Sequence, residues 1–343
     1  MTALLYQRSV MTSGFRSRMG LRDVPEKGRG VQRQINAALS RHSSEMRALR
    51  EMDVVGKEEL VLAAGRVQVG RFRCSLAHPL FRDSGPIQNF LLAFPRNSVE
   101  ITHAGGKPIV SDPTRAMLYN RGQEYRRAAI SPDGDRCDWF AFEREDVAEA
   151  VAAASARGPR SEDRPLPLAQ GPVDADLYLR QRSLFEEAAS ATPDALRVEE
   201  GALLVLQRTV RAALRVEGAA PERHLDRSRR KRVAAVQEAI ATRFGDRLTL
   251  ADLARIAACS SFHLARIFRA QTGSTIHAHL TQLRLRAAME RLEPRTDLAG
   301  LSFELGFSSH SHFTSAFRRA FGATPSAVRD RRRDLRTSIA SSR

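Results

Sequence analysis

The strongest constraint on this chain is that it repeats itself. His263-Leu-Ala-Arg-Ile-Phe-Arg-Ala-Gln-Thr-Gly273 aligns with His312-Phe-Thr-Ser-Ala-Phe-Arg-Arg-Ala-Phe-Gly322 at an offset of 49 residues, with His, Phe, Arg and Gly in matching places. In each copy apolar residues recur every three or four positions and polar ones occupy the other side, which is the period of an amphipathic helix. Each copy ends in Gly, a favoured residue just past a helix C-terminus. A shorter helix is predicted ahead of each. The first starts at Thr249-Leu-Ala-Asp252, where a Thr hydroxyl and an Asp carboxylate can cap each other's backbone N–H groups. It places Leu250, Leu253, Ile256 and Ala257 inward and turns at Ala258-Cys-Ser260. The second starts near Asp297, turns Leu298, Leu301 and Leu305 inward and reverses at Gly306-Phe-Ser308, an offset of 48 from the first turn. A short capped helix, a tight turn and a second amphipathic helix make a helix-turn-helix, and the chain carries two. Leu280–Leu292 is predicted as the helix that bridges them. A helix fits a major groove of about 12 Å width, and two on a rigid bridge can enter successive grooves of one duplex.

Charge points the same way. Of the formal +16, residues 223–343 hold +13 and residues 1–50 hold +7, which leaves −4 for the middle of the chain. A basic end beside an acidic middle suits a polyanion partner. By charge alone it equally suits a solvated basic surface or an architectural protein that grips DNA without reading it. Three cysteines, Cys74, Cys137 and Cys259, stand too far apart for a metal knuckle or a disulfide framework, so a reducing, cytoplasmic setting is expected. No apolar run approaches the roughly 18 residues of a membrane span, and Met1–Leu21 has no apolar segment of a secretory leader.

The rest of the chain divides by pattern. Residues 1–58 read as a basic flexible arm with a candidate helix at Val31–Met46; Met46 and Met52 are alternative starts. Residues 59–158 carry short strands: around Val67 and Val69, at Ser98–His103, Lys107–Val110, Arg115–Tyr119, Gln123–Ile130 and Asp135–Phe142, with turn signals between them. That spacing predicts a sandwich or barrel. Residues 159–227 read as a linker at Pro159–Pro172 followed by helices at Ala175–Ala189 and Pro193–Val216. The stripe Leu196, Leu203, Leu206, Val210 and Leu214 is expected to dock on the strand domain or to form a homodimer. Residues 228–332 hold the two repeat units, and 333–343 a basic tail.

At this point residues 228–330 resemble the DNA-binding domain of the AraC/XylS family of bacterial transcription regulators. The resemblance rests on Leu248-Thr-Leu-Ala-Asp-Leu-Ala254, Leu264-Ala-Arg-Ile-Phe-Arg269, Thr272-Gly273, Leu283-Arg-Leu-Arg-Ala-Ala288, Gly306-Phe-Ser308 and His312–Ser326, in the family's order. It implies that Phe262, Ala265, Arg266 and Arg269 face DNA in the first unit, and His310, Ser311, Thr314 and Ser315 in the second. Arg266 has the fork that reads guanine O6 and N7. Arg269 and Arg318 suit phosphate. His312 is expected to be structural. Where the family usually has Gly, Pro, Tyr and Tyr, this chain has Ala258, Ile276, His279 and Val328. Ala258 would be strained if its turn needs positive φ.

The strand domain is similar, more loosely, to the family's cupin-like sensor half, through Tyr119-Asn-Arg-Gly-Gln-Glu-Tyr125 and Cys137-Asp-Trp-Phe140. Phe72, Tyr119 and Trp139 are candidate walls for a small-molecule effector, although ordinary core packing is the favoured reading of each. The domain has only His78 and His103, not the dense His/Glu cluster of a metal-dependent enzyme. His277-Ala-His279 has no carboxylate or thiolate near it in sequence. No catalytic activity, metal or cofactor is therefore expected. The expected whole is an α+β multidomain protein: an N-terminal cupin-like antiparallel β-barrel or sandwich with a helical dimerisation layer, and a C-terminal all-α domain with two helix-turn-helix units. Its expected partners are double-stranded DNA, RNA polymerase as the resemblance implies, a small effector and a second copy of the chain.

Overall fold

Alternation builds the strands. Val99, Ile101 and His103 are buried while Glu100 and Thr102 between them are partly open, and the strand they form pairs antiparallel on both sides. The computed structural model describes residues 56–84, 86–155, 161, 163–219 and 227–331. The arm through residue 55, with the helix expected at Val31–Met46, and the tail from residue 332 lie outside the described residues. The strands are β1 (Gly56–Ala64), β2 (Val67–Cys74), β3 (Asp83–Ser84), β4 (Phe90–Pro95), β5 (Val99–His103), β6 (Ile109–Ser111), β7 (Arg115–Tyr119), β8 (Tyr125–Ala129), β9 (Asp135–Phe142) and β10 (Gln170–Pro172). They form two sheets, ordered β1-β2-β9-β4-β7-β10 and β3-β8-β5-β6, rather than one closed barrel.

Three layers result. Val99, Ile101 and Tyr125 of the smaller sheet share a core with Cys74, Ala93, Met117, Tyr119 and Trp139 of the larger. The other face of the larger sheet, with Val69, Leu92, Leu118 and Phe140, lies under α1 (Arg144–Ala154), α2 (Ala175–Ala188) and α3 (Ala195–Ala219). Gly70 is required where it stands: a Cβ there would come within 2.1 Å of the Trp139 ring, its cross-strand neighbour.

The sequence does not announce β3, β4 or α1: β4 is buried along nearly its whole length and so lacks alternation, and α1 falls inside the stretch read as strands. Two further segments also differ from the expectation. β1 begins at Gly56, so the last residues assigned to the arm pair with β2; Lys57, Glu58 and Glu59 give this edge strand a polar, loop-like appearance. Gln170–Pro172, read as linker, pairs with β7 as an edge strand, where a proline's missing N–H costs nothing. The stripe of α3 is filled within the chain. Val198, Val205, Leu206 and Val210 are buried against the sheet and its helices, Leu203 and Leu214 are partly covered, and Leu196 stays 74% exposed.

The C-terminal part is all helical: α4 (Arg227–Arg243), α5 (Leu250–Ile256), α6 (Ser261–Thr272), α7 (Ile276–Arg291), α8 (Leu298–Glu304) and α9 (His310–Phe321), with a last helix at 325–331. The first unit has its own core, Val233, Val236, Ile240, Leu253, Leu264, Ile267 and Phe268. The second does not. Phe313, Phe317 and Phe321 of α9 belong to the core that runs under α2 and α3 to the sheet, and the Tyr178 and Phe321 rings lie 5.9 Å apart.

Candidate nucleic-acid interface

Each unit is built by caps that satisfy helix ends. Thr249 and Asp252 form a reciprocal capping box at the start of α5. Ser260 accepts from the His263 N–H at the start of α6, Asp297 from the Ala299 and Gly300 N–H groups at α8, and Ser309 from the His312 N–H at α9. α6 and α9 both end on left-handed glycines, Gly273 at φ 75° and Gly322 at φ 74°. The turns inside the two units both need positive φ, 47° at Ala258 and 77° at Gly306. The strain expected at Ala258 is therefore present. It is tolerable because that residue is exposed, whereas a Cβ on Gly306 would come within 2.5 Å of the Gly245 carbonyl oxygen and 2.6 Å of Arg284 Nη2.

The inward faces carry Leu264, Ile267 and Phe268 in α6 and Phe313 and Phe317 in α9. The outward faces hold the residues implied to meet DNA. Phe262, Ala265, Arg266 and Arg269 are exposed, Phe262 to 81%; so are His310, Ser311, Ser315 and Arg318, while Thr314 is half-buried. Among the described residues no carboxylate pairs with Arg266, Arg269 or Arg318; Arg266 only nears His263 Nδ1, at 3.5 Å. His310 Nε2 lies 3.4 Å from the Thr314 hydroxyl on the outward face. His312 is also exposed but turns back to the Ser308 hydroxyl at 3.2 Å and edge-on to Phe307, which fits a structural role. In α5 only Leu253 and Ala257 point inward as expected; Leu250 and Ile256 are 43% and 41% exposed, because a helix this short covers its neighbour with one narrow stripe.

Sequence reasoning missed the way α7 holds the assembly. On one side Arg284 donates to the carbonyls of Phe244, Asp246 and Gly306, at 2.6, 2.8 and 2.8 Å, tying the loop after α4 to the turn of the second unit. Elsewhere α7 meets the sheet domain. His279 Nε2 lies 3.3 Å from Asp112 Oδ2, both buried. Burial alone would raise the Asp112 carboxyl, but the His279 ring beside it and the hydrogen bond from the Thr114 hydroxyl hold it below the usual carboxylate range. This corrects the view that His279 lacks a carboxylate neighbour: the fold brings one from far away in sequence. Arg286, fully buried, donates to the Pro113 and Val173 carbonyls, and burial lowers its guanidinium to about 10. Glu290 accepts from Arg96 and from the Tyr178 hydroxyl. The readable signal was the run Leu283-Arg-Leu-Arg-Ala-Ala288, where arginines interrupt an apolar stretch with no solvent-facing period.

The three candidate ligand walls meet in one core between the sheets, with Phe72 partly buried at its margin. Tyr119 and Trp139 lie in the layer between the sheets, with Tyr119 stacked between His103 and Tyr125 at 4.8 and 5.0 Å. Phe72 carries the Arg127 guanidinium at 4.4 Å from its ring and borders a cleft on the sheet. Burial pushes the Cys74 and Cys137 thiols up, which suits inert rather than reactive cysteines. Among the described residues no three His, Cys, Asp or Glu side chains group as metal ligands, and no helix is long and apolar enough to cross a membrane.

Comparison with known proteins bears on the helical part. Residues 253–331 match the sequence model of a family described as a helix-turn-helix domain. The Msm operon regulatory protein of Streptococcus mutans is 32% identical over 113 residues, which span 32% of this chain and 41% of that protein. The RCS-specific HTH-type transcriptional activator RclR of Escherichia coli is 36% identical over 105 residues, 30% of this chain and 37% of that protein. The chain thus spans well under half the length of these relatives. Among solved structures, a transcriptional regulator with an AraC-type DNA-binding domain from Chromobacterium violaceum is 25% identical, covering 31% of this chain and 96% of its own, with a TM-score of 0.28.

Proposed function

We propose that this chain, whose C-terminal domain is of the AraC/XylS family, is a sequence-specific transcription regulator that grips a promoter with α6 and α9. The observation that carries the reading is the pair of outward faces. Two capped helices at the repeat positions bury their apolar sides and leave Arg266, Arg269, His310, Ser311, Ser315 and Arg318 open to solvent. The guanidinium of Arg266 is free to make a bidentate base contact, and those of Arg269 and Arg318 to meet phosphates. Thr314 and the serines position α9 more than they read.

The proposal extends to the rest of the chain. The two sheets, a cupin-like sensor, receive a small effector, and α7 carries its influence to both DNA-binding units. Contact with RNA polymerase in the cytoplasm completes the regulatory act; no enzymatic step is required. The docked stripe of α3 supports the docking role over dimerisation. A homodimer would use its outer side, where Leu196 and Leu204 are exposed.

The test is to select genomic fragments bound by the full chain and compare them with random duplex at physiological salt. A specific regulator prefers its site by about a thousandfold or more; a ratio near one sinks the reading in favour of an architectural binder. On a selected site, Arg266→Ala should weaken binding by ~1–3 kcal/mol and relax one base position. Arg269→Ala should weaken all sequences alike and flatten the salt dependence.

A further inference from the structure

Five arginines, Arg71, Arg73, Arg96, Arg136 and Arg182, line one cleft of about 180 Å³, and Asp138 is the carboxylate residue among its walls. The cleft lies where α2 covers the larger sheet, in the part of the chain whose net charge is negative, so local geometry rather than composition gathers these cations. Arg96 and Arg182 donate to Asp138 at 2.7 and 2.8 Å, and both also face Glu290 of α7. Arg71 lies 3.6 Å from Glu59. Arg73 and Arg136 are different. They stand directly opposite each other on β2 and β9, both exposed, and among the described residues neither has a carboxylate partner. Like charges directly opposed across strands destabilise a sheet. Phe185 supplies an apolar wall, with the Arg71 and Arg182 guanidinium groups 5.3 and 5.9 Å from its ring.

Planar guanidinium forks converging on a small cavity match the oxygens of a carboxylate or a phosphate. We propose that this cleft binds a small organic anion, held by Arg73 and Arg136, which competes with Glu290 for Arg96 and Arg182. The consequence rests on the regulatory reading above. An anion that takes over those two arginines removes a contact between the sheet domain and α7, and so shifts the DNA-binding units.

Calorimetric titration of the full chain with citrate, glucose 6-phosphate and inorganic phosphate, each against sodium chloride at equal ionic strength, tests the site. At least one organic probe should bind saturably at one site per chain, and the comparison with inorganic phosphate shows whether the bare oxyanion suffices. The double variant Arg73→Gln/Arg136→Gln should bind it about tenfold or more weakly, with an unliganded melting temperature at or above wild type because a repulsion is gone. Glu290→Gln, which removes the competitor, should bind it a few-fold more tightly. No binding by any probe, or unchanged affinity in the double variant, overturns the site; unchanged affinity in Glu290→Gln overturns the competition. Anion binding is read without DNA, so a chain that binds the anion but no specific duplex keeps the site and loses the regulatory reading.

Discussion

The two turns of the repeat pose one backbone problem and solve it differently. An L-residue in left-handed conformation costs about 1–2 kcal/mol, whereas glycine adopts it freely at a smaller entropic cost in the unfolded chain. Ala258 sits at φ 47° with its side chain in solvent, so Ala258→Gly should stabilise the protein by roughly 1 kcal/mol, visible as a higher melting temperature. Gly306→Ala meets the Gly245 carbonyl and the Arg284 guanidinium as well as the wrong φ, and should cost about 2–4 kcal/mol. Equal effects of opposite sign, or none, would contradict the geometry. His103 offers a pH reading. It is buried between the sheets, its Nε2 has no hydrogen-bond partner among the described residues, and burial lowers its pKa to about 4. A folded value below the unfolded 6.5 means the unfolded chain takes up the proton first. The stability this neutral ring supports is complete above pH 6.5 and is lost as pH falls towards 4, about 3 kcal/mol in full. His103→Phe should remove that slope, and urea titrations of both proteins between pH 4 and 7 would show it.

At the scale of elements, α7 shows what a sequence does and does not reveal. Its helical period and its place between the units were readable, and so were the strands β5 to β9, because each has a local period and turn residues at its ends. The start of β1 and the whole of β10 were not, because edge positions tolerate charge and proline, nor was β4, whose run Phe90–Pro95 is buried on both faces and so has no alternation. Nor were the partners of His279, Arg284, Arg286 and Glu290, because each is a carbonyl or side chain placed by tertiary packing rather than by spacing. The outward faces of α6 and α9 were legible in detail, since a repeat of helical period fixes which side is apolar. Arg284 tests how much α7 adds. Its fork serves three carbonyls at once, each a charge-assisted bond partly replaceable by water. Arg284→Ala should cost about 2 kcal/mol. Arg284→Lys should recover less than half of it, because an ammonium cannot reproduce the planar fork. Full recovery by lysine would mean that charge alone holds the turn.

Across the whole molecule the two DNA-binding units are not equivalent, although the repeat makes them look so. The first closes its own core around Phe268 and Ile240, while the second shares Phe313, Phe317 and Phe321 with the helices that lie on the sheet. Cooperative opening follows shared apolar contacts. The amides of α9 should therefore exchange with solvent deuterium only when the sheet core opens, at nearly the free energy of the central strands β4 and β9. Those of α6 should exchange in a separate, cheaper opening of the first unit. Arg286 is the buried tie between α7 and the sheet domain, so Arg286→Met should bring the protection of α9 down towards that of α6 and leave β4 and β9 unchanged. If α6 and α9 exchange together in the wild-type chain, the units move as one body. A signal from the sheet domain could then not reach the second unit ahead of the first.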